Sequence, residues 1–146
     1  MKAMYLSGIR DLSKYKAPLD YGNIDIGKPN TGEVLIKVHT CGVCHTELDE
    51  IEGRTPPTFF PVIPGHQVVG HVEETGPGVT KLAKGTRVGV AWIYSSCGKC
   101  EFCQRDLENL CPEFKATGRD AHGGYAEYML VPEDFAFPLP DVFDSA

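Results

Sequence analysis

No long hydrophobic run occurs in this sequence, and its positive charge is not concentrated anywhere. The apolar stretches fall well short of the roughly 20 residues that a membrane-spanning helix needs. The segment from Met1 to Leu6 has neither the apolar core nor the cleavage site of a signal peptide. Asp and Glu number 20 against 14 Lys and Arg, for a formal net charge of -6. We therefore expect a cytoplasmic protein that binds neither nucleic acid nor a membrane surface.

A dinucleotide-binding fingerprint is also missing, because no segment has the form strand, G-x-G-x-x-G, helix. What is present is an ordinary globular composition, with 42% hydrophobic and 23% charged residues. A length of 146 residues predicts one domain that can bury a core. The six cysteines are expected to be metal ligands rather than disulfides, because the cytosol keeps thiols reduced.

Short apolar or alternating segments between Gly and Pro turns predict strands. These segments cover residues 3–6, 21–26, 34–39, 67–72, 86–92 and 125–131. One short helix is predicted from His45 to Ile51, with Cys44 or Thr46 near its cap and Gly53 ending it. Many short strands with little helix predict a mainly β, barrel-like domain.

Four cysteines follow the spacing C-x2-C-x2-C-x7-C, namely Cys97, Cys100, Cys103 and Cys111. Four thiolates this close along the chain can close a tetrahedral shell around zinc, and a closed shell is structural because it keeps no open position. An iron-sulfur run shares the first two spacings, but its last spacer is three residues and it draws on a second cysteine run. We therefore predict a structural zinc lobe over residues 95–113.

A second group of reactive side chains occupies the stretch from Gly42 to Glu47, where Cys44, His45, Thr46 and Glu47 follow one another. The pair Gly65-His66 comes about twenty residues later. Cys44 and His66 are candidate ligands of one metal ion, with a hydroxyl and a carboxylate beside them. A catalytic zinc would need a third protein ligand and an open position.

These motifs resemble the zinc-dependent medium-chain alcohol dehydrogenases, specifically their N-terminal GroES-like catalytic domain. The resemblance rests on the stretch Gly42 to Thr46, on the Gly65-His66 run with Gly70, Gly76 and Val79, and on the four-cysteine lobe. It covers essentially all of residues 1–146. It implies a GroES-like, partly open β-barrel with short helices and a four-cysteine zinc lobe.

The resemblance also implies a role for each reactive residue. Catalytic zinc would be held by Cys44 and His66, and Thr46 would hydrogen-bond the substrate oxygen and begin a proton relay. The role of Glu47 would be to orient the ligand histidine through its second ring nitrogen. His45 would lie near the cofactor pyrophosphate, and Trp92 would line the substrate pocket. Zinc lowers the pKa of a bound oxygen acid, so an alcohol can become an alkoxide near neutral pH.

Several residues depart from the family pattern or carry no role in it. Gln67 stands where the family usually has Glu, and Asp49 stands where many members have a relay histidine. Cys41 is interpreted as a buried thiol. The other histidines, His39, His71 and His122, are expected to be two strand residues and a surface loop residue. Beyond Glu47, the acidic run to Glu52 is expected to be a solvated helix face.

The leading hypothesis is the catalytic-domain portion of a zinc-dependent, NAD- or NADP-linked alcohol dehydrogenase acting on a small alcohol, aldehyde or ketone. The complete enzyme is expected to be a homo-oligomer. The chain alone is expected to be inactive, because in the family a Rossmann domain and the third zinc ligand come later. The alternatives are a stand-alone zinc-stabilised binding module and an iron-sulfur electron carrier.

Overall fold

The computed structural model describes residues 1–143, and most of its ordered chain is β-strand. The strands are β1 (Lys2–Tyr5), β2 (Asp20–Asn23), β3 (Glu33–Cys41), β4 (Val68–Thr75), β5 (Arg87–Val90), β6 (Ile93–Ser95), β7 (Lys115–Ala116), β8 (Tyr128–Pro132) and β9 (Ala136–Pro138). One α-helix, α1 (His45–Glu52), and three single-turn 3-10 helices, Cys103–Arg105, Glu108–Leu110 and Glu133–Phe135, complete the described part.

The central element is a five-stranded antiparallel sheet in the order β8-β3-β4-β5-β9, which curls into a half-barrel. Two further antiparallel pairs, β1 with β2 and β6 with β7, lie beside it. Alternate residues of the sheet point inward to form the core, as the period of two in a strand requires. The buried side chains of this core are Val34, Ile36, Val68, Val72, Leu82, Val88, Val90, Met129, Val131 and Ala136.

Helix α1 lies outside the main sheet and carries the reactive stretch at its start. Gly53 ends it in the left-handed region with φ of 79°, a conformation that glycine adopts without strain. Its inner face contributes Ile51 to a second, smaller cluster with Leu6 and Val62. This helix is eight residues long, and none in the described residues is long and apolar enough to cross a membrane.

The structure confirms the predicted mainly β domain and the predicted helix, and it shortens three predicted strands. The strand predicted over 21–26 ends at Asn23, and the one predicted over 125–131 begins at Tyr128. The strand predicted over 86–92 ends at Val90, because Thr117 draws the next two residues out of the sheet. Its Oγ1 donates to the carbonyl of Ala91 at 2.9 Å, and its N–H donates to the carbonyl of Trp92 at 2.9 Å. Strands β6, β7 and β9 were not predicted, since two or three residues are too few to show periodicity.

The core should dominate stability, and adjacent positions of β3 test this. Ile36 is fully buried, so Ile36→Ala is expected to lower the free energy of unfolding by about 2 to 5 kcal/mol. Lys37 is exposed, so Lys37→Thr should change it by no more than about 0.5 kcal/mol. Urea denaturation measures both variants. Similar losses of unfolding free energy in Ile36→Ala and Lys37→Thr would contradict the described orientation of β3.

Candidate functional site

The reactive stretch is held where β3 passes into α1. Cys44 is the residue that caps the helix, with extended backbone angles of φ -119° and ψ 160°. Its backbone N–H donates to Oε2 of Glu47 at 2.7 Å. An acidic side chain in the first helical turn satisfies an N–H group that the helix itself leaves unpaired, and it complements the helix dipole. The carboxylate of Glu47 therefore fixes the backbone that carries Cys44.

The same carboxylate reaches the second candidate ligand. Oε1 of Glu47 lies 3.0 Å from Nδ1 of His66, at ion-pair distance although outside hydrogen-bond geometry. Both residues are buried, with 2% and 7% of their surface exposed. With Nδ1 directed to a carboxylate, Nε2 is the nitrogen left to bind a metal, which is the usual arrangement around a ligand histidine. Glu47 thus joins the backbone of Cys44 to the ring of His66.

His66 is placed by a loop that is tied to a second loop far along the chain. Three backbone bonds join them, from Gly123 N–H to Ile63 carbonyl at 2.7 Å, from Gly124 to Gly65 at 2.9 Å and from Tyr125 to Pro64 at 3.0 Å. The backbone of Gly65 has φ of +96°, and a Cβ there would lie 2.6 Å from the Tyr125 ring. A Cβ on Gly123 would lie 2.1 Å from the Gly65 carbonyl oxygen. Only glycines allow the loops to approach this closely.

Thr46 and His45 lie at the exposed start of helix α1, directly after Cys44 in the chain. The Thr46 hydroxyl is 3.6 Å from the Cys44 sulfur, so the structure brings together these two sequence-predicted residues. The imidazole of His45 is largely exposed, and its Nε2 lies 3.8 Å from Oδ1 of Asp49. It takes no part in the described contacts of Cys44, Glu47 and His66.

Trp92 separates two open cavities. The larger, of about 800 Å³, lies against the cysteine lobe and includes Cys97 and Cys103, whose sulfurs a closed zinc shell would use. The smaller, of about 500 Å³, includes His66 and Trp92. The indole is 48% exposed and its ring centre is 5.0 Å from that of Phe114. The smaller cavity is the better candidate for a substrate, because it contains the candidate metal ligand.

The four cysteines of the lobe converge as their spacing predicts. Their sulfur atoms all lie within 4.8 Å of one another. The distance from the Cys103 sulfur to that of Cys97 is 3.9 Å and to that of Cys100 is 3.5 Å. Two sulfurs on one tetrahedral zinc ion, each about 2.3 Å from it, are about 3.8 Å apart. The four sulfurs therefore fit a zinc ion, and no disulfide joins them.

Backbone amides around the lobe favour thiolates. Hydrogen bonds from the N–H groups of Lys99 and then Cys100 lower the pKa of Cys97 to about 6. A second pair of amides, from Cys97 and Glu113, donates to the Cys111 sulfur at 3.4 Å. Burial and the neighbouring sulfurs of Cys97 and Cys103 outweigh these amides and raise the pKa of Cys111 to about 11. Metal binding requires deprotonated sulfur, so a bound cation would have to displace the proton of Cys111. Outside the lobe, Cys41 is half-buried rather than fully buried as predicted, and burial raises its pKa to about 11, so this thiol is neutral.

Glu50 corrects the prediction of a solvated acidic face. Only 2% of it is exposed, and its Oε2 accepts no hydrogen bond from residues 1–143. Burial, and next the charge of Glu47, raise the pKa of Glu50 to about 7. Helical spacing could have indicated this, because positions 47, 50 and 51 lie on one face and Ile51 is apolar. The burial of Glu50 was not predicted, because charged residues in an acidic run are usually exposed.

His122 is also less exposed than predicted, because it packs under the loop that carries His66. Its Nδ1 accepts a hydrogen bond from the N–H of Ile63 at 3.2 Å. Its ring also contacts Phe59 edge to face, with centres 5.2 Å apart. Burial lowers the pKa of His122. No periodic signal in the sequence predicted this contact, since the two segments meet only through the folded loops.

Comparison with known proteins agrees with this architecture. The family model described as the alcohol dehydrogenase GroES-like domain matches residues 30–141. The chain is 43% identical over 131 residues to an alcohol dehydrogenase of Geobacillus stearothermophilus, covering 89% of this chain and 39% of that protein.

Solved structures give the same result. A thermostable alcohol dehydrogenase from Pyrobaculum aerophilum, with cobalt and zinc bound, matches 94% of this chain and 41% of its own at 33% identity and a TM-score of 0.84. An NAD-dependent alcohol dehydrogenase matches 99% of this chain and 41% of its own at 28% identity and a TM-score of 0.88.

The curled sheet with its four-cysteine lobe therefore defines a GroES-like domain. The chain belongs to the alcohol dehydrogenase GroES-like domain family. It spans about 40% of the length of the curated relatives that it matches.

Removal of one lobe ligand should release zinc without affecting the candidate catalytic residues. Cys103→Ser is expected to lower the zinc content of the chain by one ion, because a structural site needs all four ligands. Residues 95–113 should then become sensitive to limited proteolysis. Cys41→Ala is the control, since Cys41 lies outside the lobe. Unchanged zinc content in Cys103→Ser, measured by mass spectrometry of the metal, would contradict the four-cysteine site.

The buried carboxyl of Glu50 predicts a pH-dependent stability. Its folded pKa of about 7 exceeds the ordinary value of 4.5, so the folded chain binds more protons between these values and loses stability as pH rises. Glu50→Gln should remove this loss. Its advantage should be small at pH 4.5 and grow toward pH 8, to at most about 3 kcal/mol. Glu74→Gln, at an exposed position, is the control. A difference in unfolding free energy between wild type and Glu50→Gln that stays the same at every pH would contradict the raised pKa.

Proposed function

We propose that this chain forms the catalytic part of a zinc-dependent, NAD- or NADP-linked alcohol dehydrogenase. The observation that carries the proposal is the buried carboxylate of Glu47, which contacts the backbone of Cys44 and the ring of His66 at once. The family and the names of its relatives support an oxidoreductase acting on alcohols. Because the chain spans about 40% of those relatives, the activity is proposed for a protein that also contains a nucleotide-binding domain.

Two zinc sites are proposed, with different purposes. The lobe over residues 95–113 holds a structural zinc through its four cysteines. A catalytic zinc is held by the thiolate of Cys44 and by Nε2 of His66, with a further protein ligand outside this chain. When bound, zinc supplies a Lewis acid for the substrate oxygen and NAD(P) supplies the hydride acceptor or donor.

The residues of this chain then position the substrate and move its proton. The exposed hydroxyl of Thr46 would accept the proton that the alcohol loses while it passes its own proton on toward solvent. Glu47 keeps the His66 ring in a fixed orientation, so that Nε2 faces the metal in both directions of the reaction. Asp49 stands where many members have a relay histidine, and its carboxylate is paired with Arg54, so the proton is proposed to leave by another route.

The substrate is proposed to enter the smaller cavity. Its wall combines His66 and Gln67 with the apolar side chains of Val69, Trp92 and Phe137. Such a wall suits the carbon chain or ring of a small alcohol, aldehyde or ketone. Gln67 is neutral where the family usually has a carboxylate, so it is proposed to contact substrate or backbone rather than to bind metal. His45, at the exposed helix start, is proposed to contact the cofactor pyrophosphate.

The location, partners and oligomeric state of the enzyme are proposed from its composition and exposed surface. Residues 1–146 form one domain in a cytoplasmic protein with no nucleic-acid or membrane partner. Val142 and Phe143 are more than half exposed, at 83% and 59%, and apolar surface of this kind supports assembly into a homo-oligomer. A stand-alone binding module would need none of the buried contacts between Glu47 and His66.

Cobalt titration tests the catalytic-site proposal. The chain freed of metal is titrated with Co²⁺ and followed by visible absorbance. The lobe should fill first, and a second, weaker ion should then bind at Cys44 and His66, because fewer protein ligands hold it. Glu47→Gln should weaken only this second ion, by about 10- to 100-fold. Glu74→Gln is the matched control.

Two outcomes would contradict the proposal. A single cobalt ion per chain, unaffected by Cys44→Ser, would favour a stand-alone binding module. Visible absorbance of the purified protein before metal is added would favour an iron-sulfur carrier. Alcohol-dependent reduction of NAD⁺ or NADP⁺ is then assayed on the longest natural polypeptide that contains this sequence. Cys44→Ser and Thr46→Val should abolish or strongly reduce it.

A further inference from the structure

Two histidines outside the proposed catalytic site lie side by side on neighbouring strands. His39 is on β3 and His71 is on β4. Nδ1 of His71 is 3.2 Å from Nε2 of His39, and the ring centres are 4.4 Å apart with the rings tilted by 45°. His39 is exposed and His71 is half-buried, so the pair is accessible from solvent.

A β-bulge creates this arrangement. Val38 pairs with Gly70 and Thr40 pairs with Val69, so His39 is an extra residue with no partner on β4. A bulge bends the strand and changes the direction of the side chain at the extra position. Lys37, two residues before His39, is the residue directly opposite His71 on the paired strand. The bulge therefore lets His39 lean along the strand toward His71, although the two are not opposite each other.

The distance between the two ring nitrogens matches that of a chelate. Zinc binds imidazole nitrogen at about 2.0 to 2.1 Å, so two nitrogens on one tetrahedral ion are about 3.3 Å apart. The observed distance is 3.2 Å. If the rings lay end to end, their centres would be much further apart than 4.4 Å. The rings are tilted by 45° instead, and this geometry is compatible with both nitrogens binding one ion.

We propose that His39 and His71 form a surface chelate for a divalent transition-metal ion of the Cu²⁺, Ni²⁺ or Zn²⁺ type. Imidazole suits these ions and does not suit Mg²⁺. Water completes the coordination, since no third His, Cys, Asp or Glu of the described residues joins the pair in a metal-binding group. Without metal, the two rings share a hydrogen bond over the same 3.2 Å. When metal binds, the proton of this bond moves to the other nitrogen of the same ring, so that both imidazoles bind in their neutral form.

The charges around the pair make this site weaker than the cysteine lobe. In the sheet, Lys37 on β3 and Arg87 on β5 are the residues directly opposite His71 on the two neighbouring strands. Glu73, two residues further along β4, is already paired with Lys84 at 2.9 Å. The surrounding cations repel a divalent ion, by an amount that salt reduces. Removal of the Lys37 charge should therefore strengthen binding.

A titration with Ni²⁺ and Zn²⁺ followed by NMR of the histidine rings tests the proposal at pH 7.5. The chain is used with zinc already bound to its cysteine lobe. The ring signals of His39 and His71 should change together, with one midpoint, for each of the two ions and not for Mg²⁺. His39→Gln and His71→Gln should each weaken this binding by more than the 10- to 100-fold expected for an outer-shell partner. Lys37→Gln should tighten it.

The controls separate this site from the proposed catalytic one. His45→Gln removes an exposed histidine elsewhere and should leave the midpoint unchanged. Cys44→Ser removes a candidate catalytic ligand and should also leave it unchanged, so failure of either proposal is recognised separately. Backbone NMR spectra establish that the two histidine variants are folded. Ring signals that do not move, or a midpoint that survives loss of either histidine, would show that the pair is only hydrogen-bonded.

Discussion

The arrangement of the candidate site depends on one buried carboxylate. Glu47 is almost fully buried, and an ionised group in such a position is costly unless it is paired. One of its oxygens accepts the N–H of Cys44 and the other faces Nδ1 of His66. These partners belong to the helix start and to a distant loop. The same contacts that make burial tolerable therefore bring the two candidate metal ligands into one structure.

The cysteine lobe shows a second way in which this small domain gains order. Between β6 and β7 the chain forms only two single-turn helices, and it contributes Cys111 but no large aliphatic side chain to the buried residues. Apolar burial alone could not fix such a segment. Four converging sulfurs allow a metal ion to do so. The half-barrel is held by its hydrophobic core, whereas the lobe has the ligands to be held by coordination chemistry.

Much of this was predictable from the sequence, for identifiable reasons. The cysteine spacing, the helix between Cys44 and Gly53, and the mainly β fold are local patterns, and the structure confirms them. Burial of Glu50 was missed because its charge outweighed its place on the inner helix face. Neither the end of β5 nor the approach of His39 to His71 was predicted. The former depends on Thr117 and the latter on a bulge in strand pairing, and both are set by segments distant in sequence.

The ties between the two glycine loops bear on the order in which the protein folds. Cys44 and Glu47 belong to one helix start and can be arranged locally, soon after synthesis. His66 gains its three backbone anchors only from residues 123–125, almost sixty positions later. Contacts over such separations form late, because a long loop must close first. A nascent chain would therefore hold Cys44 without its imidazole partner, and both proposed ligands could bind one ion only after residues 123–125 have emerged.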